Sequence, residues 1–246
     1  MVEKGHTPDY SIIVPAFNEE VWLRRSLPAI RLAMESVTTL IGELIVVDNN
    51  SSDSTADVAC EEGAEVVFEP HNQISRARNA GGQAARGRYL LFVDADTILP
   101  VGTLQAALDN LQSGKCCGGG ACISFDPPAR GPARWLQEMW NRVAPRVGWA
   151  AGCFVYCLKT GFEGVGGFSE DVYASEELWF SRNLQRWGRP RGLAFQVVQS
   201  PRMISSARKM EMPWRMWPRF IAVIVFPPAI RYRSLCKLWY DRPPDK

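Results

Sequence analysis

The stretch Tyr89-Leu-Leu-Phe-Val-Asp-Ala-Asp-Thr-Ile-Leu-Pro100 decides how the rest of the chain is read. Five residues, Tyr89 to Val93, form an apolar run that ends in two carboxylates, Asp94 and Asp96, with only Ala95 between them. A continuous apolar run of this length reads as a strand covered on both faces. Two acids at its carboxyl end raise each other's pKa unless a cation sits beside them. Hard divalent cations such as Mg²⁺ or Mn²⁺ take carboxylate oxygens and complete their shell with substrate phosphates. By itself the tripeptide fits equally a solvated turn in which Asp96 caps the next helix.

Outward from this stretch, the first half alternates short apolar runs with helical patterns. Strands are expected at 10–16 (YSIIVPA), 43–50 (ELIVVDNN), 64–69 (AEVVFE) and 89–94, and helices at 19–36, 52–63, 75–87 and about 100–113. This alternation predicts an α/β fold, a Rossmann-like wound, mostly parallel sheet with helices on both faces. Ligands of such sheets bind beyond the carboxyl ends of the strands. Three of those ends carry unusual polar groups: Pro15, Phe17, Asn18 and Glu19; Asp48, Asn49, Asn50 and Ser51; Asp94 and Asp96. All three clusters are expected to converge on one edge of the sheet.

With 246 residues, 46% hydrophobic and 22% charged, the chain is long enough for a large α/β core. A formal net charge of +2 argues against a nucleic-acid partner. The charge is uneven: residues 1–200 carry 18 Lys/Arg against 23 Asp/Glu, and residues 201–246 carry 10 against 3. Seven cysteines, an odd number without zinc-ribbon spacing, are expected to be reduced thiols of a cytoplasmic protein. The first twenty residues have no apolar core of a signal peptide, and the longest apolar run, Phe220 to Ile230, contains two prolines and is too short to span a bilayer.

Taken together, "YSIIVPAFNEE", "ELIVVDNNSSDST" and "ISRARNAGGQAARGRYLLFVDADT" closely resemble family 2 glycosyltransferases of the GT-A fold, over about residues 9–200. The resemblance implies transfer of a sugar from a nucleotide-diphosphate sugar to a hydroxyl, metal-dependent and inverting. It places Pro15, Phe17 and Glu19 against the base and ribose, and Asp48 and Asn49 at the base. Many relatives have two acids at the latter pair, so Asn49 is a departure. Arg76, Arg78 and Asn79 lie on the helix whose basic residue faces the diphosphate, and an arginine there forks onto phosphate oxygens. Asp94, Ala95 and Asp96 match the metal motif, with Asp96 as direct ligand to Mn²⁺ or Mg²⁺ and Asp94 on ribose or metal-bound water.

The block 148–189 is similar to the family's acceptor half. A strand, a short helix and a Gly-Gly-Phe turn lead to the helix "ASEELWFSRNLQRWGR". The resemblance puts the catalytic base in the pair Glu176-Glu177, where relatives have Glu-Asp. Taken alone, such acids also suit a helix N-terminus. "CCGGGACISF" (116–125) reads as a strand whose glycines leave room for a sugar. Loops such as 125–148 are expected to carry specificity. The expected organisation is one domain, 1–205, with a nucleotide-sugar half (9–113) and an acceptor half (114–205), followed by a basic aromatic tail (206–246). Within the tail, residues 212–242 mix aromatics with arginines as membrane-surface segments do, which suits a peripheral enzyme acting on a lipid-linked or glycan acceptor. Two other readings remain: a non-catalytic nucleotide-sugar-binding or scaffolding protein, and a nucleotidyltransferase. The second lacks its glycine-rich phosphate loop, since "VPAFNEEVWLRR" stands there.

Overall fold

The computed structural model describes residues 7–210 together with Arg231, Tyr232 and Cys236. The apolar runs of the first half form the expected strands β1 (Tyr10–Ala16), β2 (Gly42–Asp48), β3 (Glu65–Phe68) and β4 (Tyr89–Val93). Between and after them lie α1 (Glu20–Ser36), α2 (Thr55–Glu61), α3 (Ile74–Ala84), a two-strand-residue segment β5 (Thr97–Ile98) and α4 (Val101–Gln112). The second half adds β6 (Cys116–Asp126), α5 (Gly131–Val147), β7 (Phe154–Leu158), α6 (Lys159–Val165), α7 (Glu176–Gly188) and β8 (Ala194–Ser206). A 3-10 turn, Ala207–Met210, follows β8.

These strands make one sheet of order β3-β2-β1-β4-β7-β6-β8-β5. β1 runs parallel to β2 and β4, β2 to β3, and β6 to β8. β7 is inserted antiparallel between β4 and β6 and joins the two halves. Two apolar cores cover the sheet, one under α1, α2 and α4, the other under α3, α6 and α7. All five residues of β4 are buried, as its unbroken apolar run requires.

The ladder between β1 and β4 ends at Ile13 and Phe92, while β1 stays paired with β2 to Ala16. Pro15, which has no N–H to give, therefore sits past the end of one of its two ladders. Here the winding direction of the sheet reverses, and a crevice opens at such points.

Two sequence expectations are corrected. Residues 131–147 are the 17-residue helix α5, not a loop. Pro132 falls in its first turn, where no intrahelical bond is lost. Pro145 cannot bond the carbonyl of Asn141, which instead accepts the Cys122 thiol at 3.6 Å. The Asn141 side chain accepts from the Ile123 N–H and donates to the Ile123 carbonyl, docking α5 at an irregularity of β6. The glycines of β6 face protein, not a sugar. A Cβ on Gly119 would stand 1.7 Å from the Gln196 carbonyl oxygen, and one on Gly118 2.4 Å from that of Tyr156. Among the described residues no disulfide forms and no helix is long and apolar enough to cross a membrane. Most of segment 212–242 lies outside the described residues.

Candidate active site

Helix α3 sets the frame of the site. Gly81 lets it press onto β1 and β2, since a Cβ there would meet the Ile13 methyl at 2.4 Å. Gly82 likewise makes room for the Phe162 ring. Asn79 donates to the carbonyl of Phe168 and the carboxylate of Glu170, and accepts from the Phe168 N–H. At the start of α3, Gln73 donates to the carbonyls of Glu170 and Val172. The Arg-Asn-Ala-Gly-Gly segment is thus a clamp between the two halves of the chain.

Arg78 lies at the centre of this clamp, 1% exposed. Its Nη1 donates to Glu176 Oε1 at 2.5 Å, and its Nη2 to Asp94 Oδ1 at 2.8 Å and to the Gly152 carbonyl at 2.7 Å. The guanidinium also lies 5.2 Å from the centre of the Phe168 ring. Burial works against its charge, but Glu176, Asp94 and Glu177 outweigh that, and its pKa is raised. Arg78 therefore underpins the carboxylates from within, while Arg76 lines the open cleft and pairs with Glu170 at 3.0 Å.

Glu176 and Glu177 open α7 after Ser175, which takes a left-handed φ of 58°. Asn18 and Asn50 also have positive φ, and all three flank the carboxyl edge of the sheet. Unfavourable backbone conformations of this kind persist where surrounding contacts hold them, often at functional sites. Glu176 is turned onto Arg78. Glu177 stands over Gly152, its carboxyl carbon 3.5 Å from where a Cβ on that glycine would lie. Desolvation, and then the charge of Glu176, push the Glu177 pKa up to about 8, against the pull of Arg78. The thiol of Cys236 is raised by burial and then by Glu176, so Cys236 lies within electrostatic reach of this corner.

Asp96 lies apart from Arg78, on the other side of the turn. It is buried, and its Oδ2 accepts from Arg208 Nε at 3.0 Å and Nη2 at 2.9 Å. The same Nη2 donates to Glu19 Oε1 at 2.6 Å. Arg208 falls in the segment expected as a basic tail, and no local pattern marks it as a partner of Asp96. Its position is set by β8, whose end lies beside Asp96 through a bond from the Ser206 N–H to the Asp96 carbonyl.

A cleft of about 660 Å³ is lined by Phe17, Asn50, His71, Gln73, Arg76 and Tyr173 among others, and Asp94, Asp96, Glu176 and Glu177 are not among its lining residues. Asn49 does not point into it. Its amide donates to the carbonyls of Glu69 and His71, and its oxygen accepts from the Gln73 N–H. An aspartate could make only the last of these bonds, which gives the departure at position 49 a structural reason. Asp48 accepts from the Ser51 N–H and shapes the same loop. Among the described residues no three His, Cys, Asp or Glu side chains form a cage for a metal ion. A divalent cation would rest on Asp96 and Asp94 and on oxygens supplied by a ligand.

Known proteins share this fold and part of this sequence. An uncharacterized glycosyltransferase of Mycobacterium tuberculosis is 36% identical over 104 residues, which are 42% of this chain and 44% of that protein. The chain thus matches less than half the length of this relative. Among solved structures, the mannosyltransferase PcManGT from Pyrobaculum calidifontis in complex with GDP-Man and Mn²⁺ has a TM-score of 0.67 at 19% identity, covering 94% of this chain and 65% of that one. Glucosyl-3-phosphoglycerate synthase from Mycobacterium tuberculosis, in complex with Mn²⁺ and UDP, has a TM-score of 0.62 at 17% identity, covering 91% of this chain and 80% of that one. The fold is that of GT-A enzymes. Residues 11–160 match the family described as Glycosyl transferase family 2, and with the sheet order and the Asp94-Ala95-Asp96 edge in place, this chain belongs to that family.

Proposed function

We propose that the chain transfers a sugar from a nucleotide-diphosphate sugar to an acceptor hydroxyl with inversion, and that Glu177 is the base. The observation that carries this is the position of Glu177. Its carboxyl has a raised proton affinity and stands over Gly152, the residue whose carbonyl shares Arg78 with Asp94. A base whose pKa lies near neutrality can accept a hydroxyl proton and hold it. Glu176, anchored on Arg78, orients α7 and raises its neighbour.

On the donor side, Phe17, Asn50, His71 and Arg76 line the cleft that takes the nucleotide. Asp96, with Asp94, would hold Mn²⁺ or Mg²⁺, and the bound ion would offset the charge of the departing diphosphate. On the acceptor side, the exposed face of α5 carries Trp135, Met139, Val143 and Val147, four residues apart, beside exposed Arg134, Arg142 and Arg146. An apolar stripe flanked by arginines suits an anionic membrane surface and supports a lipid-linked acceptor.

Thermal melts with UDP, GDP, dTDP and CDP, each with and without Mn²⁺, test the donor site. A metal-dependent rise with one nucleotide, lost in Asp96→Ala, is expected, because a ligand of the folded state raises its stability. No rise with any nucleotide, in folded protein, would reject the reading.

A further inference from the structure

Two buried acids from distant parts of the chain meet at one guanidinium. Glu19 stands at the start of α1, where its backbone N–H is fixed by the Thr55 hydroxyl. Asp96 stands in the turn after β4. Side-chain exposures are only 4% for Glu19 and 3% for Asp96, so neither carboxylate is neutralised by bulk water. Nη2 of Arg208 contacts both, and Nε gives Asp96 a second bond. The ring of Trp22 lies 5.2 Å from the guanidinium carbon and backs it. Arg208 itself retains 21% exposure, so the plug is not sealed in.

We propose that Arg208 is the resident cation of a carboxylate cradle formed by Glu19 and Asp96. A divalent ion reaches Asp96, which it would share with Asp94, only by displacing Arg208; Glu19 then supplies a second buried negative charge beside the ion, and the displaced guanidinium turns to the donor's diphosphate. The physical reasoning has three steps. Two buried carboxylates in contact with one positive group hold it strongly, and leaving either without a counter-charge is costly. A divalent ion offers a better counter-charge to hard oxygen ligands, but it must first break the forked Arg208 bonds. Diphosphate oxygens give the released guanidinium an equivalent forked partner, so metal and nucleotide should each favour the other's binding. Arg208 thereby becomes a positioning residue of the donor site, and it explains how Asp96 remains satisfied before any donor arrives. The diphosphate half of the proposal rests on the donor-site reading above; the metal half does not.

The test is a Mn²⁺ titration of the full chain without nucleotide, followed by the electron paramagnetic resonance of unbound Mn²⁺. Arg208→Gln should bind Mn²⁺ at least tenfold more tightly than the wild type, and the double variant Glu19→Gln/Arg208→Gln should lose that gain. Equal affinities of the wild type and Arg208→Gln, or a gain that survives in the double variant, would overturn the proposal. Should Arg208→Gln not fold, Arg208→Lys decides. A single ammonium cannot fork, so severalfold tighter Mn²⁺ binding is expected, and no change overturns the cradle. Addition of the nucleotide diphosphate that raises the melting temperature should tighten Mn²⁺ binding tenfold or more in the wild type, and markedly less in Arg208→Gln. An equal effect in both would overturn the diphosphate half while leaving the metal result standing. Failure of every nucleotide to bind would instead reject the donor-site reading.

Discussion

Neighbouring glutamates at the start of α7 are given different tasks by one arginine. Glu176 is charge-paired with Arg78, whereas Glu177 is left with a desolvated carboxyl next to a like charge, and its pKa rises to about 8. If Glu177 is the base, it must be ionised to act, so turnover should rise with pH through a limb well above the ordinary Glu range. Glu177→Gln should lower kcat by a factor of about 10² or more, in keeping with loss of a general base. The same shift has a stability consequence, and its sign is fixed by linkage. A carboxyl whose folded pKa lies above its unfolded value binds more protons when folded, so its ionisation destabilises the fold as pH rises between the two values. Glu177→Gln should therefore gain stability over the wild type from about pH 5 to about pH 8, by on the order of 1 kcal/mol or more. Melting curves at both ends of that range check it, and a difference that does not grow with pH would remove Glu177 as the shifted group.

At the scale of elements, the strands and helix α3 are legible because they are written in local pattern, whereas the inward turn of Arg78 and Asn79 is not, since their partners lie in the second half of the chain and at the end of β4. Continuous apolar runs specify β1, β2, β3 and β4, and the polar residues that follow β1, β2 and β4 lie at one edge of the sheet. Helix α5 was hidden by its own prolines: Pro127, Pro128 and Pro132 punctuate its approach, and Pro145 stands inside it. What rescues it is non-local, namely the Asn141 bonds to Ile123 and the ion pair between Glu138 and Arg202 at 2.7 Å. Arg208 was hidden for the same reason, since its partners Asp96 and Glu19 lie 112 and 189 positions away in the chain. The exposed face of α5 also yields a prediction. Trp135 is 65% exposed, so Trp135→Ser with Met139→Ser should leave the melting temperature within about 1 °C, as surface changes usually do. Binding to vesicles containing anionic lipid, measured by co-sedimentation, should fall severalfold, and unchanged binding would take α5 out of any membrane contact.

Over the whole molecule, the sheet is two unlike halves joined at β7, and Arg78 sits where they meet. It comes from α3 in the first half. Its partners are Asp94 at the end of β4, the Gly152 carbonyl just before β7, and Glu176 at the head of α7. The group that steadies the carboxylate at the end of β4 therefore also steadies the pair at the head of α7, so the two halves of the sheet cannot drift independently. Such a centre is costly to break from one side, because the remaining buried charges lose their counter-charge while staying desolvated. Arg78→Met should destabilise the fold by about 3–5 kcal/mol, as removal of one partner from a buried ion pair does. For a chain of this size that is a loss of roughly 6 °C or more in melting temperature. Glu176→Gln alone should also destabilise, since it leaves the guanidinium with less negative charge around it. The double variant should be less damaged than the sum of the two, by about 1–3 kcal/mol, because each change removes the charge that the other strands. Urea unfolding of the four proteins measures that coupling directly. Additive losses would mean that Arg78 and Glu176 act independently and that the two halves are held together by the sheet and its apolar cores alone.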